Sequence, residues 1–100
     1  IPAYPITPDI RVPMESHEID LALNQIQAAL QGEAALSVTD GLRIEFAEGW
    51  GLVRRSVTEP VVTMRFEGQD EASLQRVIAR ITACSDILRQ RAAGKLPIME

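Results

Sequence analysis

The segment Arg54-Arg55-Ser56-Val57-Thr58-Glu59-Pro60 gathers the chain's most distinctive polar chemistry into one short stretch. Each of its two guanidinium groups presents a planar fork of donors that matches phosphate oxygens. Ser56 and Thr58 add hydroxyl donors without bulk, and successive amides of a turn form an anion-binding nest. Such a set suits a dianionic oxygen cluster, of which phosphate is the commonest. It offers no catalytic nucleophile. The stretch therefore reads as half of a binding site.

Donors of this kind work only if rigid elements hold them, and apolar patterns flank the stretch on both sides. Leu42, Ile44 and Phe46 alternate with Arg43 and Glu45, as in a half-buried strand. After a turn at Glu48-Gly49, Trp50, Leu52 and Arg54 share one face of the next strand, with Gly51 and Val53 on the other. Beyond Pro60, Val62, Met64 and Phe66 face a core while Thr63, Arg65 and Glu67 face out. Gly68 ends that strand. The polar stretch is thus the loop between two antiparallel strands.

The remaining elements complete a layered domain. Ile10 and Val12 alternate with Asp9 and Arg11, which predicts a short edge strand where Pro13 is tolerated. Ser16 is a candidate helix N-cap, with Glu18 and Asp20 in the first turn, where the dipole favours acids. Ile19, Leu23, Ile26 and Leu30 form one stripe of a helix ending near Gly32. Asp70 caps a second helix with the stripe Leu74, Val77, Ile78, Ile81, Cys84 and Leu88, ending before Gly94 and Pro97. The order strand, helix, three strands, helix predicts an α+β two-layer domain.

Composition narrows the class further. The chain has 100 residues, of which 46% are hydrophobic, enough for one packed domain. Its net charge of −4 argues against nucleic acid as the main partner. The loop runs against that sign, with Arg54, Arg55 and Arg65 against Glu59. A cationic patch on an acidic body focuses small anions, and it equally describes a solvated surface. A single cysteine, Cys84, excludes an internal disulfide and fits a reducing, cytoplasmic setting. No apolar run approaches the roughly 20 residues of a membrane helix. Four of the six prolines fall in the first 13 residues. Residues 1–7 therefore read as an interdomain linker, residues 8–100 as one domain, and the whole as a piece of a longer protein.

Other chemistry is sparse. His17 reads as a surface residue, Cys84 as a small core residue, and Trp50 as packing for the sheet. Glu45, Glu48 and Glu67 form no acid–base pair. Neither a metal-ligand spacing nor a Gly-rich nucleotide loop is present, so no catalytic or metal-binding residue is assigned.

Trp50-Gly51-Leu52-Val53-Arg54, with Ser56 and Thr58-Glu59-Pro60-Val61, resembles the C-terminal phosphate-binding segment of the α-D-phosphohexomutases. The nearest likeness is to the bacterial phosphomannomutase/phosphoglucomutase branch. There the segment typically runs Gly-Trp-Gly-Leu-Val-Arg-Ala-Ser-Asn-Thr-Glu/Thr-Pro-Val. Asp40 to Phe46, Thr63 to Glu67 and Lys95 to Ile98 extend the match, which covers the chain from about Pro8 onward.

The resemblance implies a four-stranded antiparallel sheet covered on one face by two helices, an architecture likened to the TATA-binding protein. It also implies the fourth domain of an enzyme that interconverts hexose 1-phosphate and hexose 6-phosphate. Such enzymes work through a phosphoserine, Mg²⁺ and a bisphosphorylated sugar, with the serine and the metal on other domains. The implied partners are the phosphosugar and those other domains.

Carried over residue by residue, Arg54 pairs with the phosphate that is not transferred, and Ser56 and Thr58 donate hydroxyls. Val57 stands where the family has Asn or Gly and contributes only its amide. Arg55 stands in place of Ala or Pro and is an additional candidate donor. Glu59 would repel a phosphate and is expected to face away and brace the loop. This domain alone is expected to be inactive. The alternatives are the same domain of a phosphoglucosamine mutase, a stand-alone small-molecule-binding module, or a structural domain that docks a partner on its sheet edge.

Overall fold

The computed structural model describes residues 5–38, 41–56 and 58–96. In chain order the elements are β1 (Ile10–Pro13), α1 (Ser16–Leu30), β2 (Ala35–Ser37), β3 (Leu42–Phe46), β4 (Gly49–Arg55), β5 (Val61–Gly68), α2 (Glu71–Thr82) and α3 (Asp86–Ala92). The strands form one antiparallel sheet in the order β1-β5-β4-β3-β2. The α+β class is as expected, but the sheet has five strands instead of four and there are three helices instead of two. The additional strand, β2, is only three residues long and pairs Leu36 with Ile44.

The strand alternation puts most large apolar side chains on one side, with Trp50 and Leu52 of β4 on the other. Ile10, Val12, Leu42, Ile44, Val53, Val62, Met64 and Phe66 are all buried, and the helices cover that face. From α1 come Ile19, Ala22, Ile26 and Leu30, with Leu23 at the margin of the stripe instead of its centre. From α2 come Leu74, Val77, Ile78 and Ile81. Full burial of a side chain such as Phe66 stabilises the fold by about 2–3 kcal/mol. Gly51 sits under α2, where an added Cβ would lie 3.0 Å from the Phe66 ring and collide with Ile81.

The second predicted helix is broken in two. The Ser85 side chain accepts from Leu88 N–H at 3.3 Å and starts α3 as its N-cap. Just upstream, the Thr82 hydroxyl donates to the Ile78 carbonyl at 2.8 Å. The break lets Leu88 and Ala92 reach the core beside α1 while α2 stays on the sheet. Helix α1 begins at Ser16 with Glu15 as its N-cap, one residue before the expected cap, and Glu15 N–H donates to Glu18 Oε1 at 3.0 Å.

The proline-rich start is held against β5. Thr7 is buried, its N–H donates to the Phe66 carbonyl at 2.9 Å, and its hydroxyl accepts from Phe66 N–H at 3.0 Å.

Candidate functional site

The loop after β4 is closed by its own backbone. Ser56 N–H donates to the Val61 carbonyl at 2.9 Å, and Val61 N–H donates to the Glu59 carbonyl at 2.8 Å. Met14 N–H donates to the Pro60 carbonyl at 2.9 Å, fixing the loop to the chain just past β1. These bonds fix the start of the loop at Ser56 and its end at Glu59 to Val61, and donors held before a ligand arrives spare an entropic cost.

Arg54 and Arg55 part company here, because successive side chains of a strand point to opposite faces. Arg55 follows the inward parity of Val53 and turns to α1, where it pairs with the Asp20 carboxylate and donates to the Ser16 carbonyl at 3.3 Å. Arg54 follows the outward parity of Trp50 and Leu52, on the face away from the helices. Its neighbour across the β3 edge is Gly41, at a φ of +91°. A Cβ there would lie 2.7 Å from Arg54 Cγ and 2.9 Å from the Val53 carbonyl.

Arg54, Arg55 and Ser56 line one shallow depression of about 280 Å³ with Asp9, Arg11 and Thr63. Ser56 is half-buried, and Thr58 is exposed further along the loop. Val57 lies outside the described residues. Glu59 pairs with Arg11 of β1 at 3.0 Å, and both side chains are exposed. The pair braces the loop against β1 as expected, but it sets the carboxylate beside Arg11, a lining residue of the depression, instead of facing it away.

The structure adds Arg11 and Thr63, which the loop's own sequence does not reveal. The register supplies them: Thr63 of β5 stands between Arg11 of β1 and Arg54 of β4 in one cross-strand row. The outward alternation of Arg11 and Thr63 was a signal, but their adjacency needs the strand order. Asp9, the acidic member of the depression, lies 3.9 Å from Arg65.

Trp50 donates Nε1–H to Glu67 at 3.2 Å, and the Arg43 guanidinium lies 4.4 Å from its ring centroid. Its ring is thus engaged in the sheet's outer face. Cys84 is partly enclosed and donates S–H to the Arg80 carbonyl at 3.2 Å. Burial, with Glu33 nearby, pushes its thiol up from the ordinary range, opposite to what a nucleophile needs. Among the described residues no three His, Cys, Asp or Glu side chains gather as metal ligands. None of the described helices is long and apolar enough to cross a membrane.

Known proteins resemble this chain in sequence and fold. The family model for the phosphoglucomutase/phosphomannomutase C-terminal domain matches residues 10–83, so the chain belongs to that family. Phosphomannomutase/phosphoglucomutase of Pseudomonas putida is 42% identical over 72 residues, covering 71% of this chain and 16% of that protein. Phosphoglucomutase of Neisseria gonorrhoeae is 39% identical over 57 residues, 57% of this chain and 12% of the relative. The crystal structure of a phosphoglucomutase/phosphomannomutase family protein from Burkholderia thailandensis superposes with a TM-score of 0.66 at 27% identity. It covers 95% of this chain, which spans 19% of that one.

Proposed function

We propose that this chain is the substrate-phosphate-binding C-terminal domain of a phosphomannomutase/phosphoglucomutase, with residues 1–7 leading in from the preceding domain and residues 8–100 forming the binding unit. The parent enzyme interconverts hexose 1-phosphate and hexose 6-phosphate in the cytoplasm. Its phosphoserine and Mg²⁺ belong to other domains. Here Arg54, Ser56, the Val57 amide and Thr58 hold the phosphate that stays in place, while the other phosphoryl group is transferred. Phosphoryl transfer depends chiefly on positioning and electrostatic stabilisation, so fixing the idle end contributes directly to rate.

One observation carries this reading. Arg54 and Ser56 meet in a depression at the root of a backbone-clamped loop, in a chain of the phosphohexomutase C-terminal family. Arg55 has a smaller part than its position beside Arg54 suggests, because its guanidinium is engaged by α1. Alone the domain is inactive and binds a sugar phosphate weakly, with a Kd of about 1 mM, worth about 4 kcal/mol.

The test is an amide NMR titration of the chain with glucose 1-phosphate and mannose 1-phosphate. Shifts confined to Arg54 to Thr58 and their neighbours, and lost in Arg54→Ala, support the assignment. Shifts elsewhere, or none up to tens of the expected Kd, contradict it.

A further inference from the structure

We propose that Arg11 and Thr63 form a second wall of the phosphate site, so that the ligand is gripped between two guanidinium groups. The inference rests on the phosphate-site reading above and extends it to residues of two further strands. Arg11 is opposite Thr63 in the β1–β5 ladder, and Thr63 is opposite Arg54 in the β4–β5 ladder. All three share the outward face, and all three line the same depression. Two strand spacings separate Arg11 from Arg54, about 10 Å between Cα atoms. Two arginines at that spacing can both reach a single phosphate lying over the residue between them. That residue, Thr63, is half-buried and carries a hydroxyl at the floor.

Glu59 then has a second role besides bracing. Its carboxylate lies 3.0 Å from Arg11 and neutralises that guanidinium in the absence of ligand. A dianionic phosphate monoester competes with Glu59 for Arg11, since the pair is exposed and weakly held. Binding transfers Arg11 from the carboxylate to the phosphate oxygens. The site is thereby tuned to dianions strong enough to displace Glu59.

The experiment measures the affinity of the chain for glucose 1-phosphate by NMR titration in wild type, Arg11→Ala, Arg11→Lys, Glu59→Gln and the Arg11→Ala/Glu59→Gln pair. Unshifted resonances of the core report that each variant is folded. Arg11→Ala is expected to weaken binding about 5-fold, with partial recovery in Arg11→Lys. Glu59→Gln is expected to tighten it about 3-fold, and that gain is expected to vanish in the double variant. Unchanged affinity in Arg11→Ala, with binding still lost in Arg54→Ala, overturns the role of Arg11 and leaves the phosphate site standing. Equal tightening by Glu59→Gln with and without Arg11 overturns the competition. Failure of the wild type to bind overturns both.

Discussion

Arg54 and Arg55, adjacent in the chain, leave β4 on opposite faces of the sheet. Arg55 is joined to Asp20 and to the Ser16 carbonyl of α1, whereas Arg54 lies in the outward row with Thr63 and Arg11. Two substitutions should therefore differ in their effect on binding. Arg54→Ala abolishes sugar-phosphate binding. Arg55→Ala keeps most of the binding but destabilises by about 0.5–1 kcal/mol, the ordinary worth of an exposed ion pair that ties two elements. Urea unfolding and a ligand titration on both variants check this.

Gly41 supports Arg54 from the neighbouring strand. Its φ of +91° disfavours any side chain, and a Cβ would press on Arg54 Cγ at 2.7 Å. Gly41→Ala is expected to destabilise by about 1–2 kcal/mol. It should also weaken phosphate binding by moving Arg54. A stable variant with unchanged Kd would refute this role for Gly41.

Ser85 decides where α2 stops and α3 begins. It is buried, and its hydroxyl satisfies Leu88 N–H. Ser85→Ala should cost about 1 kcal/mol through loss of the cap. Hydrogen exchange of the α3 amides, faster in Ser85→Ala than in wild type, is the local readout.

Acid should loosen the attachment of α3. Glu18 sits below its ordinary value of 4.5 because Arg91 of α3 donates to it, at 2.7 Å, and because it accepts from Glu15 N–H. Asp70, the α2 cap, sits below its ordinary value of 3.8 because it accepts from Ser73 N–H at 2.7 Å. Both carboxyls bind protons more weakly folded than unfolded. Their stabilisation is complete above the unfolded values and is lost as pH falls through the folded ones. The unfolding midpoint should therefore hold steady from about pH 8 to about pH 5.5 and fall below about pH 4.5. Glu18→Gln should flatten part of that fall.

Much of this architecture could be read from the chain. The alternation of Val62, Met64 and Phe66 gave the buried face of β5, and that of Trp50, Leu52 and Arg54 gave the open face of β4. Strand β2 escaped because Ala35-Leu36-Ser37 is too short for alternation to register, and it forms only because β3 offers an edge. The break between α2 and α3 escaped because Cys84 and Leu88 continue the apolar stripe across it. The Ser85-Asp86 pair, a cap followed by an acid, was the available signal. For the site, residue chemistry located the loop and its flanks. Strand parity separated Arg54 from Arg55, but the partners of Arg55 needed the position of α1, and bringing Arg11 and Thr63 alongside needed the order of the strands.

The most direct measurement is a crystal structure of the chain with glucose 1-phosphate bound. The account predicts the phosphate in the depression beside β4, with Arg54 donating to its oxygens and Ser56 and Thr58 at hydrogen-bond distance. A phosphate held elsewhere, or one at this loop that leaves Arg54 uninvolved, would contradict it.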